Sequence, residues 1–215
     1  LFVYDASGKI VRKVKAKNSK GFNRVAWNLS SESTQTVSAK NVKRDASGHQ
    51  VSPGSYSAQL FKQLNGKYTA VGNKVNVEVK PMVKGALKGS TPEQVVAFWE
   101  KVTALRNSTR DMSGELNDTK DEINVMLKAY DRSSSTDDAL HNELLLLRDE
   151  ILALKQKLGG SDARSEVGAK NEFPTVWDYI WAASGASFTY GPTASQQKYL
   201  EFASKMSTDL SAELA

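Results

Sequence analysis

The stretch Ser90-Thr91-Pro92-Glu93-Gln94-Val95-Val96-Ala97-Phe98-Trp99 decides the architecture, because the apolar period changes there from two to three-and-four. Thr91 is placed to cap a helix, Pro92 fits its first position, and Glu93 puts an acid where the helix dipole favours one. Downstream, Val95, Phe98, Val102, Leu105, Thr109, Met112, Leu116, Thr119, Ile123, Met126 and Tyr130 recur at heptad spacing. Two threonines interrupt the seam and Gly114 lies off it, so the pattern predicts one long helix over 92–131.

Arg132-Ser133-Ser134-Ser135 breaks that helix, and Ser135 or Thr136 is expected to cap a second one over 136–158. Its stripe is Leu140, Leu144, Leu147, Ile151, Leu154 and Leu158, and Gly159-Gly160 ends it. A short linker favours an antiparallel pair. Six aliphatics do not offset the chain entropy of ordering a lone hairpin, so a third layer is required. Residues 161–172 read as a polar loop. A short amphipathic helix follows over 174–183, carrying Val176, Trp177, Ile180 and Trp181. A last helix over 194–214 presents Tyr199, Ala203, Met206 and Leu210 on one face, with Leu200, Phe202 and Leu214 beside it. Together these predict an antiparallel bundle of three or four helices over 90–215.

Upstream of Ser90 the period is two. Phe2 and Tyr4, Ile10 and Val14, then Phe22, Val25 and Trp27 alternate with polar residues. Ala6-Ser7-Gly8 reads as a hairpin loop, Asn18 to Gly21 as a turn, and Pro53-Gly54 as the entry to Tyr56, Ala58, Leu60 and Phe61. Asn65-Gly66 is a strong hairpin signal, followed by Tyr68 and Val71 and by a last strand of Val75, Val77 and Val79 ending at Pro81. Residues 30–52 read as a long exposed loop. About six strands over 1–89 fall short of the seven or more of a closed sandwich. The fold class expected is therefore α+β in two parts, an antiparallel β-sandwich segment followed by a helical bundle.

Charge divides at the same place. The 215 residues carry 29 Lys/Arg and 24 Asp/Glu, a net +5. Residues 1–90 hold 16 basic and 4 acidic residues, a balance of +12, whereas 91–215 hold 13 and 20, a balance of −7. The lysines alternate with apolar residues along strands, as edge protection does, without the aromatic interleaving of a nucleic-acid groove. No apolar run reaches eighteen residues, so no membrane-spanning helix is expected. The opening Leu1-Phe2-Val3-Tyr4 is already strand-like, with no initiator Met or leader pattern, which leads us to expect a fragment of a longer protein.

Little in the sequence points to bond-breaking chemistry. With no cysteine, thiol catalysis, disulfide frameworks and cysteine-ligated zinc are excluded. His49 sits in the Ser/Lys-rich loop and His141 on a helix flank, both expected as solvated surface residues without a nucleophile to serve. Glu115, Asp118, Asp121 and Glu122 face away from the seam, and Glu150 is expected near Lys155. No catalytic, cofactor-binding or metal-ligating residue is assigned, and no cofactor is implied. Trp27 and Trp99 read as packing residues. Trp177 and Trp181, four apart on one helical face, are the candidate binding surface.

Three motifs in order, Val3-Tyr4-Asp5-Ala6-Ser7-Gly8-Lys9-Ile10-Val11, Gly21-Phe22-Asn23-Arg24-Val25-Ala26-Trp27 and Val51-Ser52-Pro53-Gly54-Ser55-Tyr56, resemble the immunoglobulin-like domain of the flagellar hook-capping type. That family usually has Asp-Gly after the Trp, where this chain has Asn28-Leu29 and a long insertion. Followed by a helical hairpin and a Gly191-Pro192-Thr193 entry to the last helix, the order resembles the C-terminal region of bacterial sortilin-like, BNR-repeat β-propeller proteins labelled glycosyl hydrolases. The resemblance implies an immunoglobulin-like sandwich, an extracytoplasmic location, and a propeller upstream as the main partner. It also implies that any catalytic site belongs to that propeller. The expected function is thus a non-catalytic accessory module, with carbohydrate binding at Trp177 and Trp181 as the alternative. A helical seam satisfied between chains would give a homodimer.

Overall fold

The computed structural model describes residues 1–37, 47–82, 89–134, 137–185 and 191–214. It is an α+β chain with antiparallel sheets and five helices among the described residues. Strands β1 (Phe2–Tyr4), β2 (Ile10–Lys13), β3 (Ser30–Glu32), β4 (Ser47–Gln50), β5 (Gly54–Leu64) and β6 (Lys67–Val79) precede helices α1 (Pro92–Asp131), α2 (Asp138–Gly159), α3 (Asp162–Glu166), α4 (Val176–Ser184) and α5 (Ala194–Leu214). The chain divides into two compact units, one built on residues 1–100 with Gly191 and Pro192, the other on the remaining described residues from Lys101 onward. The division falls inside α1.

In the first unit, four strands form a sheet in the order β2-β1-β5-β6, and β3 and β4 form a separate two-stranded sheet. The β1–β2 turn is fixed locally. The Asp5 carboxylate accepts hydrogen bonds from the Ser7 amide and hydroxyl and from the Lys9 amide, and Gly8 supplies a φ of 86°. Those bonds, the Ser7 hydroxyl foremost, hold the Asp5 carboxyl below its ordinary pKa. Asn65 and Gly66 turn β5 into β6 with φ of 48° and 78°, the left-handed pair that a tight two-residue hairpin needs.

Three strand expectations change. No strand forms over Phe22–Trp27, where Phe22 is 90% exposed and only Val25 and Trp27 are half-buried. The stretch read as a loop over 30–52 contains β3 and β4, short polar strands that apolar alternation does not mark; its residues 38–46 lie outside the described ones. The runs at Tyr68 and Val75 are one strand, β6, carried past a register shift opposite Ala58 and Leu60, near Gly72 with its φ of 73°.

One face of the larger sheet carries Val3, Arg12, Tyr56, Ala58 and Leu60, with Val71, Val75 and Val77 continuing it onto β6. The smaller sheet ties to this face at its β1–β2 side. The Arg12 guanidinium donates to the Ser31 carbonyl at 2.9 Å and to Ser47 Oγ at 3.2 Å, and the Lys13 amide donates to Glu32 Oε1 at 2.6 Å. Trp27 closes over Tyr56, ring centroids 5.4 Å apart. Val3 is the one fully buried aliphatic of the strands among the described residues.

In the second unit the helices share one apolar cluster. Met112, Leu116, Ile123 and Leu127 of α1 join Ile151 and Leu158 of α2, Val176 and Ile180 of α4, and Ala203 and Leu210 of α5. Helix starts are set by short sequence signals. Thr175 and Asp178 form a reciprocal capping box at α4, and Thr193 with Gln196 makes the same pair of bonds at α5. In the first unit, Thr91 and Gln94 do so at the start of α1. Ser135 and Thr136 lie outside the described residues; Asp137 accepts from the amides of Ala139 and Leu140 and caps α2. The polar segment after α2 contains the short α3.

The covered lines run through other positions than the expected seams. In α1, Leu127 is buried and Met126 is 52% exposed. In α2, Leu140 and Leu147 are exposed while the half-buried line passes through His141, Leu144 and Arg148. In α5, Leu200 and Ser207 face inward beside Ala203, and Tyr199 turns outward. In α5 the covered line Gln196, Leu200, Ala203, Ser207 and Leu210 keeps its own three-and-four spacing, so the neighbouring helices have selected an adjoining flank of the apolar stripe. Thr109, wholly buried in the α1 seam, returns its hydroxyl to the Leu105 carbonyl at 2.8 Å.

Replacing Leu127 with Ala is expected to lower unfolding free energy by about 2–5 kcal/mol. Met126→Ala should stay within about 0.5 kcal/mol. Urea unfolding of the two variants measures the difference, and the reverse order would restore the expected seam through Met126.

Candidate functional site

Helix α4 carries the candidate surface. The capping box at Thr175 fixes its first turn, and the buried Val176, Ile180 and Ala183 fix its rotation, so Trp177 and Trp181 share a flank. Their ring centroids are 6.4 Å apart and the planes are inclined by 36°. The two rings differ in exposure. Trp177 packs against the helical cluster and lies 3.5 Å from where a side chain on Gly159 would begin. Trp181 is 60% exposed. The pair is thus no flat double platform; the open indole face belongs to Trp181.

Arg106 of α1 roofs that indole, its guanidinium carbon 5.3 Å from the ring centroid. Nη2 donates to Ser184 Oγ at 2.9 Å, and the Ser184 hydroxyl in turn donates to the Ile180 carbonyl at 2.7 Å. Nε is buried and without a hydrogen-bond partner among the described residues. Burial, with Arg110 one turn along, lowers the Arg106 pKa from its ordinary value, far above neutrality. A cation held by a π face and a hydroxyl, beside an exposed indole, can stack a planar or sugar ring and favours an anionic one. Among the described residues no base bonds to the Ser184 hydroxyl, which donates to a main-chain carbonyl.

The neighbouring flank of α4 adds Tyr179, whose ring lies 6.1 Å from Tyr199 and 5.5 Å from Phe202 of α5. Sequence reading did not find Arg106 or Ser184. They lie 78 residues apart, and only the packing of α4 beside α1 brings them together. The one sequence signal was an arginine next to the seam residue Leu105.

The remaining singled-out residues are dispersed. His49 is on β4, half-buried, with its carbonyl accepting from Ser31 Oγ. His141 is half-buried and stacked on Tyr130, centroids 4.9 Å apart. Neither is the solvated residue expected. Trp27 donates Nε1–H to the Ser30 carbonyl at 2.9 Å and Trp99 packs edge-on to Phe98, both as packing residues. Glu115, Asp118, Asp121 and Glu122 are exposed. Lys155 pairs with Asp162 at 3.4 Å and not with Glu150, because residues five apart do not face each other on a helix. Among the described residues no three His, Asp or Glu side chains converge as metal ligands, and no helix is long and apolar enough to cross a membrane.

Trp177→Ala is expected to cost at least about 2 kcal/mol of stability. Trp181→Ala should cost no more than about 1 kcal/mol, the worth of an exposed cation–π contact. Thermal and urea unfolding of both variants check this; equal losses would mean that both rings are structural. Comparison with known protein families, characterised proteins and solved structures finds no match to this chain.

Proposed function

We propose that this chain is a non-catalytic accessory module of a larger extracytoplasmic protein, an immunoglobulin-like β-sandwich segment joined to an antiparallel helical bundle, working through contact with another domain. One observation carries the reading. The strand unit leaves much of its apolar surface uncovered, with Leu60, Val71 and Val75 each 45–64% exposed and only Val3 buried among its described strand aliphatics. A face this open is more than isolated surface aliphatics explain and fits a surface that another polypeptide completes. The upstream β-propeller implied by the sequence motifs is the partner this reading names.

Two details support the immunoglobulin-like part. The Tyr56 hydroxyl donates to the Ser52 carbonyl at 2.7 Å, a bond of the kind that makes a tyrosine corner in such sandwiches. Trp27, from the second motif, packs on that same tyrosine. Support for the bundle is the single cluster shared by α1, α2, α4 and α5.

The test compares melting of the 215-residue chain alone with melting of the same residues inside the longer protein. The expected outcome is an increase of several degrees in the joined form, since about 1 kcal/mol shifts a domain of this size by roughly 2–4 °C. Identical melting temperatures would overturn the reading.

The exposed Trp181 beneath Arg106 favours a second reading, a carbohydrate-binding module selecting an anionic sugar. Affinity electrophoresis on uronate-containing and neutral polysaccharides tests it. Retardation by the anionic polymer, abolished in Trp181→Ala, is the expected result for such a module; free migration of the unaltered chain on every polymer excludes it.

A further inference from the structure

The last strand of the larger sheet is long, open and nearly self-complementary. β6 runs from Lys67 to Val79 at the edge of the order β2-β1-β5-β6, and every residue of it but Val79 is exposed. No strand among the described residues pairs with its outer side, which leaves main-chain amides and carbonyls there as a template for a further strand. The stretch after the register shift reads Lys74-Val75-Asn76-Val77-Glu78. About Asn76 as centre it is a charge-complementary palindrome: a basic residue two positions before, an acidic residue two positions after, and valines between.

We propose that β6 is a self-association edge, and that a second copy of this chain pairs with it antiparallel about Asn76. In that register Lys74 lies opposite Glu78 of the second copy, twice by symmetry, and Val75 lies opposite Val77. Asn76 meets its own counterpart on the two-fold axis. Opposite residues in an antiparallel pair share a face, and the pairing in this sheet shows that the faces agree. Val75 and Val77 stand opposite Ala58 and Tyr56 on the Val3 face, whereas Asn76 and Glu78 stand opposite Ser57 and Ser55 on the other. Lys74 is on that second face too, its ammonium 4.1 Å over the Tyr4 ring.

Competing registers are poorer. Sliding the centre to Val77 sets Lys74 against Lys80 of the second copy, and sliding it to Val75 leaves Glu78 opposite Gly72 and Lys74 opposite Asn76. A lysine on an edge strand ordinarily blocks pairing by repelling its own copy. Here the glutamate four residues on, whose side chain is 65% exposed and paired with the well-solvated Lys80 at 3.1 Å, turns that repulsion into attraction. The occupant argued for is a second copy because the charges match this strand's own sequence. The helical seams do not ask for it: α1, α2, α4 and α5 already share one cluster within a chain.

The inference stands apart from the accessory-module reading, since the 215-residue chain can pair by β6 whether or not an upstream domain stabilises it. Sedimentation equilibrium of the whole chain, from micromolar to near-millimolar concentration, is expected to show a monomer–dimer equilibrium, as a small interface gives. Lys74→Glu or Glu78→Lys alone should weaken it at least about tenfold, because each converts two attractive cross-strand pairs into repulsive ones. The double exchange should restore it. The chain has no cysteine, so single cysteines report register cleanly. Asn76→Cys should cross-link to itself on mild oxidation, because directly opposed Cα atoms about 4.5–5.5 Å apart suit a disulfide. Cysteines at Lys74 or Glu78 should cross-link far less. Circular dichroism confirms that each variant is folded. A chain monomeric at every concentration, a dimer indifferent to the charge exchanges, or equal cross-linking at all three positions would each overturn the proposal. So would a dimer removed by polar substitutions at Leu140 and Leu147 on α2 but not by those on β6.

Discussion

Four helices of this protein hold together because one apolar cluster excludes water from all of them at once. Leu116, Ile180 and Ala203 are each at most 1% exposed, and they come from α1, α4 and α5. Ala203 matters for its size: with no side chain beyond Cβ, it lets α5 approach closely enough for Ile180 to reach the interior. A larger residue there would strain the packing by overfilling it. The rotation of α4, and with it the outward placement of Trp181 and its contact with Arg106, follows from this cluster. A surface feature thus rests on a buried one.

The strand unit meets a different constraint. Its sheet presents an apolar face and the two-stranded β3–β4 sheet covers part of it, through Arg12, Glu32 and Trp27. Polar bonds fix the position of that cover but contribute less to stability than apolar burial would. What remains open, on β5 and β6, lies beside an edge that no strand among the described residues pairs. A sheet with both an uncovered face and an uncovered edge is suited to contact with further polypeptide, and both functional readings of the strands start from that fact.

Charge sharpens the picture without defining a site. The excess of lysine and arginine in residues 1–90 is spread over strands and turns, where Lys13 and Lys74 lie over the aromatic rings of Phe2 and Tyr4. Such lysines cover apolar rings with their stems while their ammonium groups stay in water. Arg106 is placed otherwise, half-buried and held by an indole and a hydroxyl, as Arg12 is held by the β3–β4 sheet.

How much could be read beforehand follows the range of each interaction. Local signals were legible. Thr91 with Pro92 and Glu93 marks a helix start, Asn65-Gly66 marks a hairpin, and period changes locate α1, α2, α4 and α5 to within a few residues. The buried face was legible only to one residue, because periodicity gives a stripe and the neighbours decide which edge of it they cover; hence Leu127 for Met126, and His141 and Arg148 where Leu140 and Leu147 were expected. β3 and β4 escaped because Ser30-Ser31-Glu32 and Ser47-Gly48-His49-Gln50 have no apolar alternation; partner strands make them strands. The sequence by itself determined where helices and turns begin, since a cap or a tight turn is settled among residues three or four apart. The tertiary structure alone decided that Arg106 roofs Trp181 and that no described strand pairs the outer edge of β6, since burial and pairing depend on groups distant in the chain that only packing assembles.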